Sequence, residues 1–541
     1  MTSRMGRREF VRSAAAGALI IARPDEALGA RPAPAVRDPA QATAFELDET
    51  TIARLQDAMR SGKYTARAIS EMYLSRIEEI DRRGPTVNSV IETNPDALTI
   101  ADALDRERKE KGARGPMHGI PVLIKDNIDT ADRMKTSAGS LALADVVAPR
   151  DAFVVQRLRA AGAVILGKTN LSEWANFRST HSVSGWSGRG GQTRNPYVLD
   201  RNPCGSSSGT GASIAANLAA VGIGTETDGS IICPSSANGL VGIKPTVGLV
   251  SRSGIVPISH TQDTAGPMAR TVTDAAILLG TMAAVDPGDA ATAPSRSGSR
   301  SDYREFLQAD GLRGARIGVS RNYFGFNAQV DGIMDDAVAA MKSAGATIVD
   351  PANLTTKGKF DDAEFDVLLY EFKADLNAYL ARSNSPHKTL AALIEFNSLH
   401  RDREMPYFGQ EIFEMAQKKG PLTSQGYRSA LAKCRRLSRT EGIDALVGKH
   451  RLDAFVAPTG GPAWVTDLLN GDHFTGGSST PAAVAGYASI TVPAGFVHGL
   501  PVGISFIGGA WSEPTLIRLA YGFEQATHVR QPPRFVPTFT P

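Results

Sequence analysis

Apolar residues recur along this chain at two spacings, one typical of helices and one typical of buried strands. Between positions 68 and 80 they return every three or four residues, which predicts a helix with one buried face. The residues on that face are Ala68, Ile69, Met72, Tyr73, Ile77 and Ile80. Residues 120–124 form a short run that is apolar throughout, and this pattern favours a strand.

The two patterns alternate through most of the chain. Residues 153–161 carry a helical apolar face, with Asp151 placed to cap its start and Gly162 to end it. Further helices are predicted at 101–111, 212–220 and 330–341, and further strands at 163–166, 221–225, 315–319, 347–349, 453–457, 489–492 and 502–507. This alternation favours an α/β fold in which helices cover both faces of a sheet.

Two stretches interrupt the alternation. Residues 286–300 are polar and rich in turn formers, which predicts a surface excursion. Residues 460–481 form a long loop that contains Trp464, Asp472 and His473. Loops of this length often act as lids or pocket walls, and disorder is the alternative. For Trp464, His473 and Trp511 the default expectation is packing in the core or on the surface.

The first residues have the order of a bacterial twin-arginine export signal. Residues 6–12 read Gly-Arg-Arg-Glu-Phe-Val-Arg, an apolar run follows at 14–22, and small residues follow at 27–30. The alternative is a basic helix start that happens to precede alanines. The apolar run is shorter than the ~20 residues that span a bilayer. We therefore predict a signal over 1–30 and a mature protein without a stable membrane anchor, located in the periplasm or secreted.

A linker is predicted at 31–44, rich in proline, alanine and charge, and a single domain is predicted at 45–541. The chain has 541 residues, of which 42% are apolar, enough for a large core. Its net charge is +3, and residues 1–30 hold five arginines and three acidic residues, so the remainder carries +1. Such a balance gives no electrostatic basis for binding nucleic acid.

Three cysteines are too few, and odd in number, for a disulfide framework. We therefore expect no disulfide. Cys204 and Cys233 flank a serine-rich region and are expected to pack as small apolar side chains, and Cys434 lies far from them in sequence.

Candidate chemistry begins with two serine-bearing turns. Ser230 follows Gly229 at the end of a predicted strand, where a sharp turn presents its hydroxyl and lets backbone N–H groups converge on an oxyanion. Ser206 and Ser207 lie shortly before a predicted helix. An ordinary Gly-Ser turn and a helix cap formed by Ser208 or Thr210 are the structural alternatives. A phosphate-binding loop is disfavoured because Gly-Lys-Ser/Thr is absent.

Lys125 ends the apolar run at 120–124. It is either a strand-end lysine that reaches the surface or a buried base beside hydroxyl groups. To act as a base near neutral pH, a lysine needs its pKa lowered by about 3 units, roughly 4 kcal/mol, which burial without a paired carboxylate supplies. The nine histidines show no metal-ligand spacing, so we expect neither a metal nor a cofactor.

Together, these segments resemble the amidase signature family. Residues 119–127 resemble its lysine motif, 204–209 its serine- and glycine-rich stretch, and 225–230 its nucleophile turn. The three motifs occur in the family's order, and the likeness covers about 45–527. The resemblance implies a layered α/β/α fold with a large mixed sheet. It also implies hydrolysis of carboxylic amides to acid and ammonia.

The resemblance further implies the roles of individual residues. Ser230 would be the nucleophile, Ser206 the bridging serine after a cis peptide bond, and Lys125 the base, with Ser207 in support. The backbone of Thr227, Asp228, Gly229 and Ser230 would form the oxyanion hole. Cys204, Ser208 and Asp228 stand where many members carry glycine, which leaves the local backbone less certain.

Within the family the chain is most similar to bacterial peptide amidases, which act on C-terminal peptide amides. Matching segments include 171–177, 190–196, 245–250 and 509–514. The expected substrate is a short peptide amide or another small amide, and the expected assembly is a monomer or homodimer. Four alternatives stay open: a general aliphatic or aryl amidase, the amidase component of a tRNA-dependent amidotransferase, a membrane-bound fatty-amide hydrolase, and an inactive binding protein of the same fold.

Overall fold

The computed structural model describes residues 45–296 and 298–539. The export signal predicted at 1–30 and the linker predicted at 31–44 lie outside the described residues. Within the described ranges, no helix is long and apolar enough to cross a membrane.

One mixed sheet of eleven strands organises the described part of the chain, and two further strands pair separately. The strands are β1 (Val90–Thr93), β2 (Pro121–Lys125), β3 (Val164–Thr169), β4 (Trp186–Ser187), β5 (Gly191–Gln192), β6 (Val221–Glu226), β7 (Val241–Lys244), β8 (Thr264–Ala269), β9 (Arg316–Val319), β10 (Thr347–Val349), β11 (Ala454–Pro458), β12 (Ser489–Val497) and β13 (Leu500–Ile507). The order in the large sheet is β1-β3-β2-β6-β8-β7-β12-β13-β11-β9-β10, and β4 pairs with β5. β2 is parallel to β3 and β6, and β9 is parallel to β10 and β11. The other neighbours are antiparallel.

Helices surround this sheet. They are α1 (Ile52–Arg60), α2 (Ala66–Arg76), α3 (Ala97–Lys111), α4 (Phe153–Ala160), α5 (Ser208–Ala215), α6 (Ile232–Ala237), α7 (Val272–Met282), α8 (Ala328–Ser343), α9 (Asp361–Arg382), α10 (Leu390–Leu399), α11 (Arg401–Glu404), α12 (Glu411–Gln417), α13 (Gln425–Arg435), α14 (Asp444–His450), α15 (Thr480–Ala485) and α16 (Glu513–Thr527). Shorter helical turns lie at Ile77–Arg83, Leu141–Leu143, Glu173–Asn176, Ala290–Arg296, Tyr303–Phe306, Arg321–Tyr323 and Arg436–Ile443.

The centre of the sheet is covered on both faces. Every residue of β2, β3 and β6 is buried, although successive side chains of a strand point to opposite faces. Strands with that pattern need packing partners on each side, as in parallel sheets covered by helices. The predicted layered α/β fold is therefore confirmed. Because β2 and β6 are parallel neighbours, their carboxyl ends lie side by side, where α/β proteins usually bind ligands.

The helix predicted at 212–220 lies earlier in the chain, at Ser208–Ala215. Asn217 has a φ of +58°, a left-handed conformation that a helix cannot continue through. All eight residues of α5 are buried. A Cβ atom on Gly209 would lie 2.3 Å from the carbonyl oxygen of Ser89, so only glycine allows this close approach.

Two smaller expectations need correction. Asp151 does not cap α4, whose N-cap is Ala152; the Asp151 carboxylate instead accepts from the N–H of Ala131 at 2.7 Å and pairs with Arg159 at 2.9 Å. The 286–300 excursion is also bound to the body of the protein, because Asp289 forms an ion pair with Arg252 at 2.5 Å.

Candidate active site

Lys125 lies at the carboxyl end of β2, beside the end of β6. Its Nζ is 2.7 Å from Ser206 Oγ, 2.9 Å from Thr225 Oγ1 and 3.2 Å from the Thr225 carbonyl oxygen. Asn127 Nδ2 donates to the same Thr225 hydroxyl at 2.9 Å. Thr225 thus fixes the lysine in place, a contact that the sequence analysis did not predict.

The environment of Lys125 favours the neutral amine. The side chain is fully buried, so the surface alternative is wrong. Burial lowers its pKa to about 7, and the more distant charges of Asp263 and Glu226 only partly oppose that effect. The groups hydrogen-bonded to Nζ are neutral hydroxyls and a carbonyl. A neutral amine carries a lone pair, so Lys125 is able to accept a proton from Ser206.

Ser206 and Ser207 connect the lysine to the nucleophile turn. The peptide bond between Gly205 and Ser206 is cis, as the resemblance implies. Ser207 Oγ donates to the Thr225 carbonyl at 3.1 Å and accepts from the Thr225 N–H at 3.2 Å. The Ser207 N–H donates to the Ser230 carbonyl at 3.1 Å. Ser207 therefore holds the end of β6 and the backbone of Ser230 against the start of α5.

The turn at residues 227–230 leaves its backbone donors available. The described hydrogen bonds give the N–H groups of Thr227, Asp228, Gly229 and Ser230 no protein acceptor. Gly229 has a φ of +78°, which confirms the need for glycine in the turn. Buried N–H groups without partners are rare in folded proteins, and a cluster of them suits a developing oxyanion.

The flanks of this turn are fixed by a buried carboxylate. Glu226 Oε2 accepts from the N–H groups of Ile231 and Ile232 at 2.8 and 3.0 Å, which anchors the chain directly after Ser230. The Ser230 side chain remains slightly exposed, with 8% of the residue accessible. A ligand carbonyl is thus able to reach Ser230.

Asp228 has a role that its backbone N–H alone does not describe. Its carboxyl group is hydrogen-bonded to Ser479 and Thr480, and burial raises its pKa. The negative charge of Asp361 raises that pKa further, and the charge of Asp228 in turn helps to raise the pKa of Glu364. The side chain therefore points away into a buried acidic region behind the turn.

The expectation of no disulfide is wrong. Cys204 and Cys233 form a disulfide with a Cα–Cα distance of 6.0 Å, packed against Ala237 and Trp464, and Cys434 is a free buried thiol. The bond joins the segment that carries Ser206 to the segment that carries Ser230. Counting cysteines missed it because one pair and one free thiol also give an odd total.

Removing this disulfide is expected to destabilise the protein. The closed loop spans 29 positions, for which chain entropy gives a loss of about 3 kcal/mol. We expect the Cys204→Ser/Cys233→Ser double variant to unfold at lower denaturant concentration than the parent, whereas Cys434→Ser serves as the control for loss of a thiol. Equal stability of the double variant and the parent in non-reducing denaturation curves would contradict this expectation.

Other candidate residues take different places. Trp464 is buried, and its Nε1 donates to Asp472 at 3.2 Å; Asp472 also accepts from the Ser184 N–H at 3.0 Å. His473 is exposed, and Trp511 is half-buried. The 460–481 loop is thus held to the body through Asp472, close to the disulfide.

A cavity of about 960 Å³ borders the lysine side of the site. Its walls include Asn127, Thr225, Thr227 and Asp263, whereas neither serine of the proposed relay lines it. It therefore lies behind Lys125 and the start of the turn rather than over the nucleophile.

One cluster in the described residues has spacing suited to a metal: His260, Glu371 and Asp375. Its acceptors already have protein donors, since Glu371 Oε1 accepts from Tyr427 at 2.7 Å and Asp375 Oδ2 accepts from His260 at 2.8 Å. The charges of both acids, acting against burial, raise the pKa of His260. The cluster is best described as an ion-pair network that joins α9 to the 257–263 segment.

Comparison with known proteins agrees with this geometry. The profile of the family described as Amidase matches residues 68–517. The chain therefore belongs to the amidase signature family and is an amide-hydrolysing enzyme.

Among solved structures, the native peptide amidase from Stenotrophomonas maltophilia is 51% identical, with a TM-score of 0.87 over 91% of this chain and 100% of that one. A probable amidase of Arabidopsis thaliana is 44% identical over 91% of this chain and 93% of its own length. One component of the glutamyl-tRNA(Gln) amidotransferase of Pseudomonas aeruginosa is 34% identical over 90% and 100%, respectively. The predicted likeness to bacterial peptide amidases is thus confirmed.

Proposed function

We propose that this enzyme hydrolyses C-terminal peptide amides through Ser230, Ser206 and Lys125. The observation that carries the mechanism is the fully buried Lys125 amine, 2.7 Å from Ser206 and without a carboxylate among its hydrogen-bond partners. A lysine in this state serves as a base without histidine or metal. The likeness to a peptide amidase over nearly the whole chain supports the substrate class.

The reaction begins with two linked proton transfers. Lys125 takes the proton of Ser206 while Ser206 takes the proton of Ser230, and Ser230 Oγ forms a bond to the amide carbon. The carbonyl oxygen becomes an oxyanion that accepts from backbone N–H groups of residues 227–230. The relay then returns a proton to the amide nitrogen, the C–N bond breaks, and ammonia leaves.

Hydrolysis of the acyl-enzyme uses the same groups. Water loses a proton through the relay and attacks the ester carbon of acyl-Ser230. The second oxyanion collapses, the bond to Ser230 Oγ breaks, and that oxygen regains its proton. The products are the carboxylic acid and the free enzyme. Each atom that moves is supplied by the substrate, by water or by the three side chains.

We also propose that the protein is exported. The twin-arginine pattern at 6–12 motivates this proposal, and the Cys204–Cys233 disulfide supports it because disulfides persist mainly in oxidising compartments. Fusion of residues 1–30 to a reporter that is active only outside the cytoplasm tests it. Retention of the reporter in the cytoplasm would contradict the proposal.

The substrate proposal is tested by measuring ammonia release from a C-terminally amidated dipeptide. A simple aliphatic amide and an aryl amide are run in parallel. Preferential release from the peptide amide, as judged by kcat/KM, is the expected result. Preference for the simple amides would leave the class of enzyme unchanged and replace the proposed substrate with that of a general amidase.

A further inference from the structure

The carbonyl group of Thr227 is held from behind by a buried glutamine. Gln262 Nε2 donates to the Thr227 carbonyl at 3.3 Å and to Glu364 Oε1 at 2.9 Å. Gln262, Glu364 and Thr227 are each more than nine-tenths buried. The contact therefore lies in the protein interior, where water does not replace a lost hydrogen bond at no cost.

Peptide geometry links this contact to the oxyanion hole. In a planar trans peptide unit, the C=O of one residue and the N–H of the next point in opposite directions. The bond that holds the Thr227 carbonyl therefore sets the direction of the Asp228 N–H. That N–H is one of the donors without a protein acceptor in the nucleophile turn. A rotated peptide unit would direct the Asp228 N–H away from the substrate oxygen.

Glu364 determines which end of the Gln262 amide faces Thr227. The side-chain amide has an NH₂ end with two donors and an oxygen end that only accepts. Thr227 and Glu364 both offer acceptor oxygens, so both contacts require the NH₂ end. Without the Glu364 acceptor, only one contact distinguishes the two amide orientations.

The neighbouring residue holds a different part of Thr227. Asp263 Oδ1 accepts from Thr227 Oγ1 at 2.6 Å, and its Oδ2 accepts from the N–H groups of Ile258 and Ser259 at 2.8 and 2.9 Å. This fixes the threonine side chain but leaves the following peptide plane free to rotate. Orientation of that plane depends on Gln262.

We propose that Gln262 and Glu364 are positioning residues for the oxyanion hole: Glu364 orients the Gln262 amide, and Gln262 holds the Thr227–Asp228 peptide unit with its N–H toward the substrate. This inference rests on the proposed roles of Ser230 and the 227–230 turn. It does not depend on whether the substrate is a peptide amide or a simple amide.

The test replaces Gln262 with leucine, which keeps side-chain volume and removes the donor. We expect kcat to fall about tenfold or more, less than the 10²–10³-fold typical of deleting an oxyanion donor, with KM within about twofold of the parent. Glu364→Leu should cause a similar loss. Glu364→Gln should retain most of the activity because its amide oxygen still accepts from Gln262.

The control is Gln410→Leu. Gln410 is a buried glutamine that also donates to a backbone carbonyl, that of Ile394 at 3.2 Å. This variant should lose comparable stability and keep the parental kcat. In the Gln262→Leu/Glu364→Leu double variant, kcat should fall little further than in Gln262→Leu alone, because the two side chains act through one contact.

A second readout is independent of the amide used. A fluorophosphonate labels the nucleophilic serine, and its phosphonyl oxygen takes the position of the oxyanion. We expect slower labelling of Gln262→Leu than of the parent, with no labelling of Ser230→Ala. Kinetics and labelling within twofold of the parent for Gln262→Leu, or an equal loss in Gln410→Leu, would overturn the proposal. If Gln262→Leu does not fold, Gln262→Asn and Glu364→Leu decide by the same criteria.

Absence of labelling in the parent would instead contradict the role of Ser230 on which the inference rests. Labelling of the parent without peptide-amide turnover would contradict the substrate proposal alone. The two failures are therefore distinguishable.

Discussion

Replacing Ser230 with alanine is expected to lower kcat by about 10⁴-fold or more, because no neighbouring group takes over formation of the acyl-enzyme. Lys125→Met is expected to cause a loss of the same order. Methionine fills a similar volume but offers no base to Ser206. Since both residues belong to one relay, the double variant should be hardly slower than either single variant. The measurement is single-turnover ammonia release at pH 8.

Matched controls separate this loss from damage to the fold. Ser235 is a buried serine on α6 whose Oγ has no hydrogen-bond partner among the described residues, so Ser235→Ala should keep parental kcat. Circular dichroism and denaturation curves should show all variants folded. Substantial turnover by folded Ser230→Ala or Lys125→Met, within tenfold of the parent, would remove that residue from the mechanism.

Burial alone does not identify the catalytic lysine. Lys125, Lys168 and Lys244 are all fully buried. Lys168 reaches Thr136 Oγ1 at 3.1 Å, and Lys244 reaches the Tyr487 carbonyl at 2.6 Å, whereas Lys125 reaches the Ser206 hydroxyl. From sequence, the distinction came from the resemblance of three motifs. In the structure it comes from one contact between residues 81 positions apart.

Local patterns predicted the elements that end at the site. The apolar run before Lys125 and the strand before Ser230 are both present because their residues are covered on two faces. The helical region from α9 to α14 was not predicted. Apolar residues of α9 do not form one clear stripe, since this helix contacts α10, α12 and α13 on different sides.

The supports of the site depend on long-range contacts and therefore escaped sequence analysis. Gln262 and Glu364 are 102 positions apart, and Cys204 and Cys233 are separated by 29 positions. No local periodicity encodes either pair. The glycine requirement at Gly229, by contrast, follows from the turn itself and was predictable.

The largest effect of pH is expected from Lys125. Its pKa is lowered to about 7 by burial, and only the neutral amine accepts the proton of Ser206. The neutral fraction falls about tenfold for each pH unit below the pKa. We therefore expect kcat/KM to be nearly constant above pH 8 and to fall about tenfold per unit below pH 6.

The same pKa links Lys125 to stability. The unfolded lysine titrates near 10.4, so between about pH 7 and pH 10 the unfolded state binds more protons than the folded state. In that window, this residue makes the free energy of unfolding increase with pH. Lys125→Met should lose that contribution, and its stability at pH 7 relative to the parent should exceed its relative stability at pH 10.

A second buried group provides the control for the activity profile. Burial raises the pKa of Asp129, in the cavity wall, to about 6, and Tyr379 donates to its Oδ1 at 2.8 Å. The Asp129→Asn variant should keep the acidic fall in kcat/KM if Lys125 causes it. Rates of fluorophosphonate labelling should follow the same curve because labelling uses the same base but involves no amide nitrogen. A profile that is flat from pH 5.5 to pH 8, in a protein that remains folded, would exclude a neutral-lysine base, since protonated Lys125 has no lone pair with which to activate Ser206.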